Sequence, residues 1–277
     1  MCNACVMDNI KQRMLSRRSL FKAAGIGAAA AALSSAAPSV VPGTQAMAAG
    51  HGSVADMTHE LHEDFPTFFG EQQFFMEQKF NWAEHKFNLM ELRVNEHTGT
   101  HVDAPLHFSE DGLSVAEIPV DNLVVPLCVI DISARAAEDA DTQVTPDDIK
   151  AWIAANGDIP DRACVAMNSG WDAHVGSDKF RNADSGGTMH FPGFHLEAAQ
   201  MLLEETTASG IAVDTLSLDF GQSPDFATHY AWLPEGRWGI ENIANLGSVP
   251  ASGATLVVGA PKHRGGTGGP ARVFAMT

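Results

Sequence analysis

The chain has 277 residues with 17 basic and 34 acidic side chains, so its net charge is −17 with histidine neutral. Without residues 1–48, which hold five of the basic side chains and one of the acidic ones, the net charge is −21. Such an acidic surface repels nucleic acid and anionic lipid and excludes both as partners. The remaining length, without internal repeat or linker, suits a single domain with one sizeable core.

Residues 1–48 carry the pattern of an export signal. Arg17 and Arg18 precede the small, apolar stretch 23–37, and residues 46–48 offer an A-x-A cleavage site. The pattern predicts a twin-arginine signal peptide that is cleaved to leave residues 49–277 as the mature domain. A membrane anchor is the alternative, but the stretch is short and weakly apolar for a span. We therefore expect a periplasmic or secreted protein that engages the twin-arginine export machinery.

The four cysteines fall into two groups. Cys2 and Cys5 form a lone C-x2-C that cleavage would remove, and we assign them no function. Cys128 and Cys164 each lie in an apolar, strand-like run. Two buried thiols and one disulfide are both compatible with these positions.

Two predicted strands precede a histidine-rich motif. One is Val54–Thr58, and the other is Phe87–Asn95, whose alternating pattern leads directly into the motif. The aromatic-rich segment 65–82 between them has neither the period of a strand nor that of a helix, so we expect an irregular covering segment. Its aromatic residues are either ordinary core or a mobile wall around a substrate pocket.

Three histidines and one aspartate lie within eleven residues, as His97, His101, Asp103 and His107. Imidazole nitrogen and carboxylate oxygen are common ligands of Zn, Mn and Fe. The residues between the first two histidines are poor helix formers, which predicts an extended or looped backbone with a bend at Gly99. His101 and Asp103 then point to the same side, and His97 folds back to complete a three-ligand set. A histidine-rich surface loop is the alternative, and the one-sided placement of the ligand types favours a metal site.

Apolar runs alternate with helix signals after the motif. Thr145 and Pro146 mark the start of one helix and Gly157 its end, and a second helix is predicted over Leu196–Thr207. The predicted strands are Leu123–Ile132, Ala163–Asn168, Ile211–Asp219 (strand, turn and strand), Thr255–Pro261 and Ala271–Ala275. This alternation predicts a mixed α/β domain.

Two other segments suggest a serine nucleophile and a phosphate-binding loop, but each lacks the sequence pattern that such a site requires. Ser169 lacks the surrounding G-x-S-x-G pattern of a serine nucleophile, and a metal site would make such a nucleophile unnecessary. The glycine-rich run Gly265–Pro270 lacks the lysine of a phosphate-binding loop, and no helix follows it.

The segment His97-Thr-Gly-Thr-His101-Val-Asp103-Ala-Pro-Leu-His107 resembles the signature of the metal-dependent cyclase-family hydrolases. That family includes bacterial kynurenine formamidases and isatin hydrolases. The resemblance covers roughly residues 54–275. It implies that His97, His101 and Asp103 bind the metal and that His107 acts as the general acid/base.

Two downstream segments extend the resemblance. His229 and Glu241 lie in stretches that resemble the family's H-x2-L/W-L and E-N-L segments. In family members with two metals, the residues at these two positions hold the second ion, and the aspartate at the position of Asp103 bridges the two ions. Other members bind one ion. Asp214 and Asp219, in a stretch that resembles the family's G-x-D-T-x-S-x-D segment, are candidates to orient ligand histidines, with turn or cap acids as the alternative.

The resemblance also implies a fold and a reaction. It implies a single mixed α/β domain with a barrel-like β core and flanking helices, a homodimer or homotetramer, and one or two Zn or Mn ions per chain. The reaction would be hydrolysis of a C–N amide bond, in a cyclic amide or an N-formyl aryl amine, or of an ester or lactone, by metal-activated water. The candidate residues of the substrate pocket are Phe65, Phe68, Trp82 and Trp171.

Two other functions remain open from the sequence. One is a metal-dependent cyclase or lyase, since a metal with a histidine can also remove a proton next to a carbonyl. The other is a non-catalytic periplasmic protein that binds a metal or ligand. His107 beside three ligands, and the lack of two similar lobes, argue against the second.

Overall fold

A curled, nine-stranded sheet is the frame of residues 52–277, the part of the chain that the computed structural model describes. The predicted export signal, Cys2 and Cys5 lie outside the described residues. The strands are β1 (Val54–Asp56), β2 (Phe74–Phe80), β3 (Leu89–Val94), β4 (His101–Asp103), β5 (Val124–Asp131), β6 (Gln143–Val144), β7 (Cys164–Asn168), β8 (Gly193–Phe194), β9 (Gly210–Val213), β10 (Trp238–Glu241), β11 (Ala254–Gly259), β12 (Gly268–Pro270) and β13 (Arg272–Met276).

The order in the large sheet is β1-β13-β11-β5-β7-β9-β10-β4-β12. The central pairs β5–β7, β7–β9 and β9–β10 are parallel, and the outer pairs are antiparallel. Strands β7 and β9 are apolar along almost their whole length, which suits parallel strands covered on both faces. Buried apolar clusters lie on the two faces of this sheet. The predicted mixed α/β domain with a barrel-like β core is thus confirmed.

Five short α-helices flank the sheets among the described residues. They are α1 (Trp82–His85), α2 (Ser133–Glu138), α3 (Pro146–Asn156), α4 (Leu196–Glu205) and α5 (Ala227–Trp232). Helix α3 begins as predicted, with Thr145 and Asp148 exchanging side-chain and backbone hydrogen bonds, and ends at Gly157. Within residues 52–277, no helix has the length and apolar character needed to cross a membrane.

The prediction of an irregular structure throughout the aromatic segment is wrong, because β2 and β3 form a two-stranded hairpin. The Arg93 guanidinium lies 3.6 Å from the centre of the Phe75 ring, and Lys79 bonds Glu77 at 2.7 Å. The first contact joins two strands, and the second joins polar residues two positions apart on one strand. The pattern of apolar residues in the sequence therefore does not predict them. Every residue of β3 is exposed, and the large sheet supports the motif through β4 instead.

The two cysteines of the described region are free and buried. In the parallel pair β5–β7, Leu127 lies opposite Cys164 and Cys128 lies opposite Val165. Since side chains alternate between the faces of a sheet, the two thiols point to opposite faces. Of the two interpretations left open by the sequence, the structure therefore supports two separate buried thiols.

Candidate metal centre

The histidine-rich motif bends at Gly99 and then enters β4. Gly99 has a φ of +68°, and a Cβ there would lie 2.9 Å from Leu61 Cδ1, so glycine suits both the turn and the close approach. Strand β4 pairs with β12 on one side and with β10 on the other. In the β4–β10 register, His101 lies opposite Glu241, which brings a residue 140 positions later to the motif.

Two imidazoles of the motif approach the same carboxylate oxygen, Oδ1 of Asp103. Asp103 Oδ1 lies 2.7 Å from His97 Nδ1 and 3.3 Å from His101 Nε2. His101 Nε2 also lies 3.4 Å from Glu241 Oε2. Two tetrahedral ligands bound at about 2.1 Å are about 3.4 Å apart, so the two spacings around His101 Nε2 suit neighbouring positions around one ion. The 2.7 Å between His97 and Asp103 is a hydrogen-bond distance.

His229 faces the other oxygens of the same carboxylates. Its Nε2 lies 3.1 Å from Glu241 Oε1 and 3.7 Å from Asp103 Oδ2. Asp219 Oδ2 accepts from His229 Nδ1 at 2.6 Å, so Nε2, which faces the two carboxylates, is the nitrogen that can bind an ion. Asp219 also accepts from the Thr228 N–H at 2.8 Å and so holds the start of α5 in place.

The donor set fits a divalent ion. His101 Nδ1 donates to Gly99 O at 2.8 Å, so the buried Nε2 is the nitrogen that can bind an ion once an ion replaces its proton. Both His101 Nε2 and Asp103 Oδ2 are buried without a hydrogen-bond partner among the described residues. Burial lowers the pKa of His101, but the carboxylates of Asp103 and Glu241 raise it more, to about 10. The site therefore attracts positive charge, and its imidazole and carboxylate groups suit a divalent ion.

His107 lies beside these donors on a 3-10 turn, Pro105–Phe108. Its ring stacks on that of His97, with 3.7 Å between the ring centres and 18° between the planes. Burial lowers the pKa of His107 to about 4, so its imidazole is neutral near pH 7 and can accept a proton. One of its ring nitrogens also lies within 4.8 Å of donor atoms of His97 and Asp103, so ligation and proton transfer are both within its reach.

An aromatic cavity of about 250 Å³ opens over the donor atoms. Phe68, Phe108 and Phe226 form part of its wall, and the Phe226 ring centre lies 5.7 Å from each of the other two. Its lining also includes Pro66, Thr67, Phe69, Gln73, Asn95, His97, Gly99, His101, His107, Leu216, Ser217, His229, Glu241 and Asn242. An apolar wall above a cluster of polar side chains is typical of small-molecule sites.

Of the four residues predicted to line the pocket, the structure places one at the cavity and three elsewhere. Phe68 lines the cavity, but Phe65 packs in the interior against Phe180. Trp171 is buried as well, and its Nε1–H donates to Phe180 O at 2.9 Å. Trp82 is 55% exposed on α1 at the end of the hairpin. These three large apolar side chains are therefore placed in the core or on the surface, outside the cavity lining.

Two aromatic residues of the wall were not predicted from the sequence. Phe108 follows His107 directly, and Phe226 precedes His229 by three residues. Their position close in sequence to candidate site residues is the signal that could have identified them as pocket residues. The φ of +55° at Phe226, which turns the chain into α5, is visible only in three dimensions.

The two aspartates proposed to orient histidines have different roles. Asp219 contacts His229, as described above. Asp214 instead accepts from the Ser169 N–H and hydroxyl, at 2.9 and 2.6 Å, and from the Trp171 N–H at 3.0 Å. Burial raises the pKa of Asp214 to about 7. The Ser169 hydroxyl thus serves a structural contact between β7 and the loop after β9.

Known proteins with similar sequences and structures were found by comparison. The family model described as Cyclase matches residues 55–220. The isatin hydrolase of Roseibium aggregatum is 36% identical over 193 residues, covering 66% of this chain and 72% of that protein. The kynurenine formamidase of Salinibacter ruber is 30% identical over 195 residues, covering 69% and 81%. A solved isatin hydrolase A from Labrenzia aggregata, bound to benzyl benzoate, has a TM-score of 0.76 and 36% identity, over 81% of this chain and 93% of that one.

Proposed function

The chain belongs to the cyclase family of metal-dependent amide hydrolases, and on this basis we propose that it opens the C–N bond of a small aromatic substrate, a cyclic amide or an N-formyl aryl amine. One observation carries the proposal. The candidate ligands His97, His101, His229 and Glu241 line the same cavity as the phenylalanine wall. A ring held against that wall has its amide bond next to the donor atoms.

Different residues of the site have different roles in the proposed hydrolysis. His97, His101 and Asp103 would hold a divalent ion, which would lower the pKa of a bound water toward neutrality and polarise a carbonyl. His107, neutral near pH 7, accepts a proton from the attacking water and returns it to the leaving nitrogen. The apolar wall orients the ring and excludes other water from the reacting bond.

Hydrolysis is tested by the origin of the oxygen in the product. The purified protein, supplied with Mn²⁺ or Zn²⁺, is incubated in heavy-oxygen water with a panel of cyclic amides and N-formyl aryl amines. We expect turnover of at least one aromatic member, with one solvent oxygen in the product acid by mass spectrometry. A product without solvent oxygen would instead support the metal-dependent lyase or cyclase, and metal binding without turnover would support the binding protein.

We propose Zn or Mn as the ion, with one or two ions per chain. Asp103 and Glu241 each direct one oxygen toward His101 and the other toward His229, so the two carboxylates can serve two neighbouring ions. Metal analysis decides the number. Two ions per chain would support His229 and Glu241 as ligands of the second ion, and one would leave them as residues of the pocket.

We also propose that the protein is a homodimer or homotetramer, because one face of the hairpin is apolar and uncovered. This apolar hairpin face consists of Met76, Met90, Leu92 and Val94, which are 48, 44, 58 and 38% exposed. The opposite face carries charged residues, among them Glu77, Glu91 and Arg93. A two-stranded hairpin alone is marginally stable in water, so a second copy packed on the apolar face would stabilise it.

We expect Leu92→Glu to lower the molar mass in solution, measured by size exclusion with light scattering, from that of the parent oligomer to that of a monomer. The new carboxylate would be buried without a partner at the centre of the apolar hairpin face. Val120→Glu is the matched control, because Val120 is 71% exposed and lies outside the hairpin. A monomeric parent, or an unchanged mass for the Leu92 variant, would contradict this interface.

We propose export through the twin-arginine pathway to the periplasm or beyond. In cell fractions, Arg17→Lys combined with Arg18→Lys should leave unprocessed precursor in the cytoplasm, because the paired arginines are what the pathway recognises. The same double substitution would show normal periplasmic accumulation if another signal directs export.

A further inference from the structure

Thr267 contacts the metal centre. It lies in the glycine-rich run Gly265–Pro270, which lacks the pattern of a phosphate-binding loop. The Thr267 hydroxyl oxygen lies 2.9 Å from His97 Nε2, although the two residues are 170 positions apart. On its other side, Thr267 donates to one oxygen of Glu96, from its hydroxyl at 2.6 Å and from its N–H at 3.0 Å. Glu96, Thr267 and His97 therefore form a continuous hydrogen-bonded chain that ends at a candidate ligand.

The direction of these hydrogen bonds sets the tautomer of His97. A carboxylate can only accept, so the single hydroxyl proton of Thr267 points to Glu96. Toward His97, the Thr267 oxygen can then only accept, and Nε2 must carry the ring proton. In the neutral ring that binds an ion, the lone pair of His97 is therefore on Nδ1, the atom that faces Asp103 Oδ1 at 2.7 Å. His101 and His229 have the opposite arrangement, since each donates from Nδ1, to Gly99 O and to Asp219.

We propose that Glu96 and Thr267 are positioning residues that make His97 offer Nδ1 to the ion, in a set where His101 and His229 offer Nε2. This proposal rests on the proposed metal centre and concerns the second layer of contacts around it. A ligand histidine whose other nitrogen is held in this way has one tautomer and one ring orientation before the ion arrives. Metal affinity then depends on residues that never touch the metal.

The glycines on either side of Thr267 permit this contact. A Cβ at Gly268 would lie 2.8 Å from His97 Cε1, and one at Gly266 would lie 2.7 Å from Glu96 Oε1. Gly268 pairs with Asp103 in the β4–β12 register, and Thr267 O accepts from the Ala104 N–H at 2.8 Å. The run thus lies against the motif with Thr267 directed at His97, which explains glycine at both neighbours.

Removal of the Thr267 hydroxyl tests the proposal. Metal affinity is measured by titrating Zn²⁺ into the metal-depleted protein in competition with a chelator. We expect Thr267→Val to weaken the affinity by about 10- to 100-fold, as for other residues that hold ligand histidines, and Thr267→Ser to restore it to near the parent value. Thr255→Val, on strand β11, is the matched control and should bind as the parent does.

Nitrogen-15 NMR spectra of the histidines in the Zn²⁺-loaded protein show which ring nitrogen of each histidine binds the ion. A purely structural role of Thr267 would not determine this choice of nitrogen. We expect one ligand histidine, absent in His97→Gln, to bind through Nδ1 and keep its proton on Nε2. Binding of His97 through Nε2, or parent-like affinity in Thr267→Val, would overturn the positioning role and leave the metal centre intact. A parent protein that takes up no Zn²⁺ or Mn²⁺ would overturn the centre itself.

Discussion

His101→Ala is expected to lose most of the bound metal and all measurable hydrolysis. The His101 side chain is 1% exposed, and its Nε2 is the donor that faces both Asp103 and Glu241. Without it, two buried carboxylates face each other with one fewer ligand to hold the ion between them, and a three-ligand set is reduced to two. Metal content by mass spectrometry and turnover of the best substrate measure the loss.

A matched histidine variant separates this effect from general damage. His62→Ala removes an exposed imidazole that does not line the cavity, and it should keep the metal content and turnover of the parent. Circular dichroism checks that the His101 variant folds. Full metal content in folded His101→Ala would remove this residue from the ligand set, whatever happened to activity.

His107→Asn is expected to keep the metal of the parent while turnover falls by about a hundred- to ten-thousand-fold, the usual contribution of a proton-transfer group. His107 stacks on His97, and its neutral imidazole can take and return a proton, whereas an asparagine amide cannot. The loss should be smaller for an activated ester than for an amide, because the ester's leaving group needs less protonation. Turnover of both substrates and the metal content are measured on the same preparation.

The same variant distinguishes the two roles within reach of His107. If metal and activity fall together, His107 is a ligand, in keeping with its short distance to donor atoms of His97 and Asp103. Equal losses for ester and amide, with the metal retained, would place the proton transfer on another group, and Glu241 would be the next candidate. His62→Asn is the control for substitution of an exposed imidazole.

The geometry around the motif was largely predictable because it depends on local rules. The bend at Gly99 follows from the freedom of glycine, and the common direction of His101 and Asp103 follows from the two-residue period of a strand. The capped helix α3 and the apolar central strands were predictable for the same reason. Each of these features depends on neighbours only a few positions away.

The remaining features depend on contacts between distant parts of the chain. Strand β2 exists because it pairs with β3, through contacts such as Arg93 over Phe75. The assignment of Phe65 and Trp171 to the core depends on Phe180, which periodicity does not connect to either of them. His229 and Glu241 were identified through family resemblance alone, and strand pairing and α5 bring them to the motif.

The separate thiols on the two faces of the β5–β7 pair have a consequence for the conditions in which the domain folds. Burial raises the pKa of Cys128 to about 12 and that of Cys164 well above its usual value, so both stay protonated and poorly reactive. Because they cannot reach each other, the domain needs no oxidant to join them. Residues 52–277 can therefore complete their folding in a reducing cytoplasm and keep the same covalent structure in an oxidising compartment.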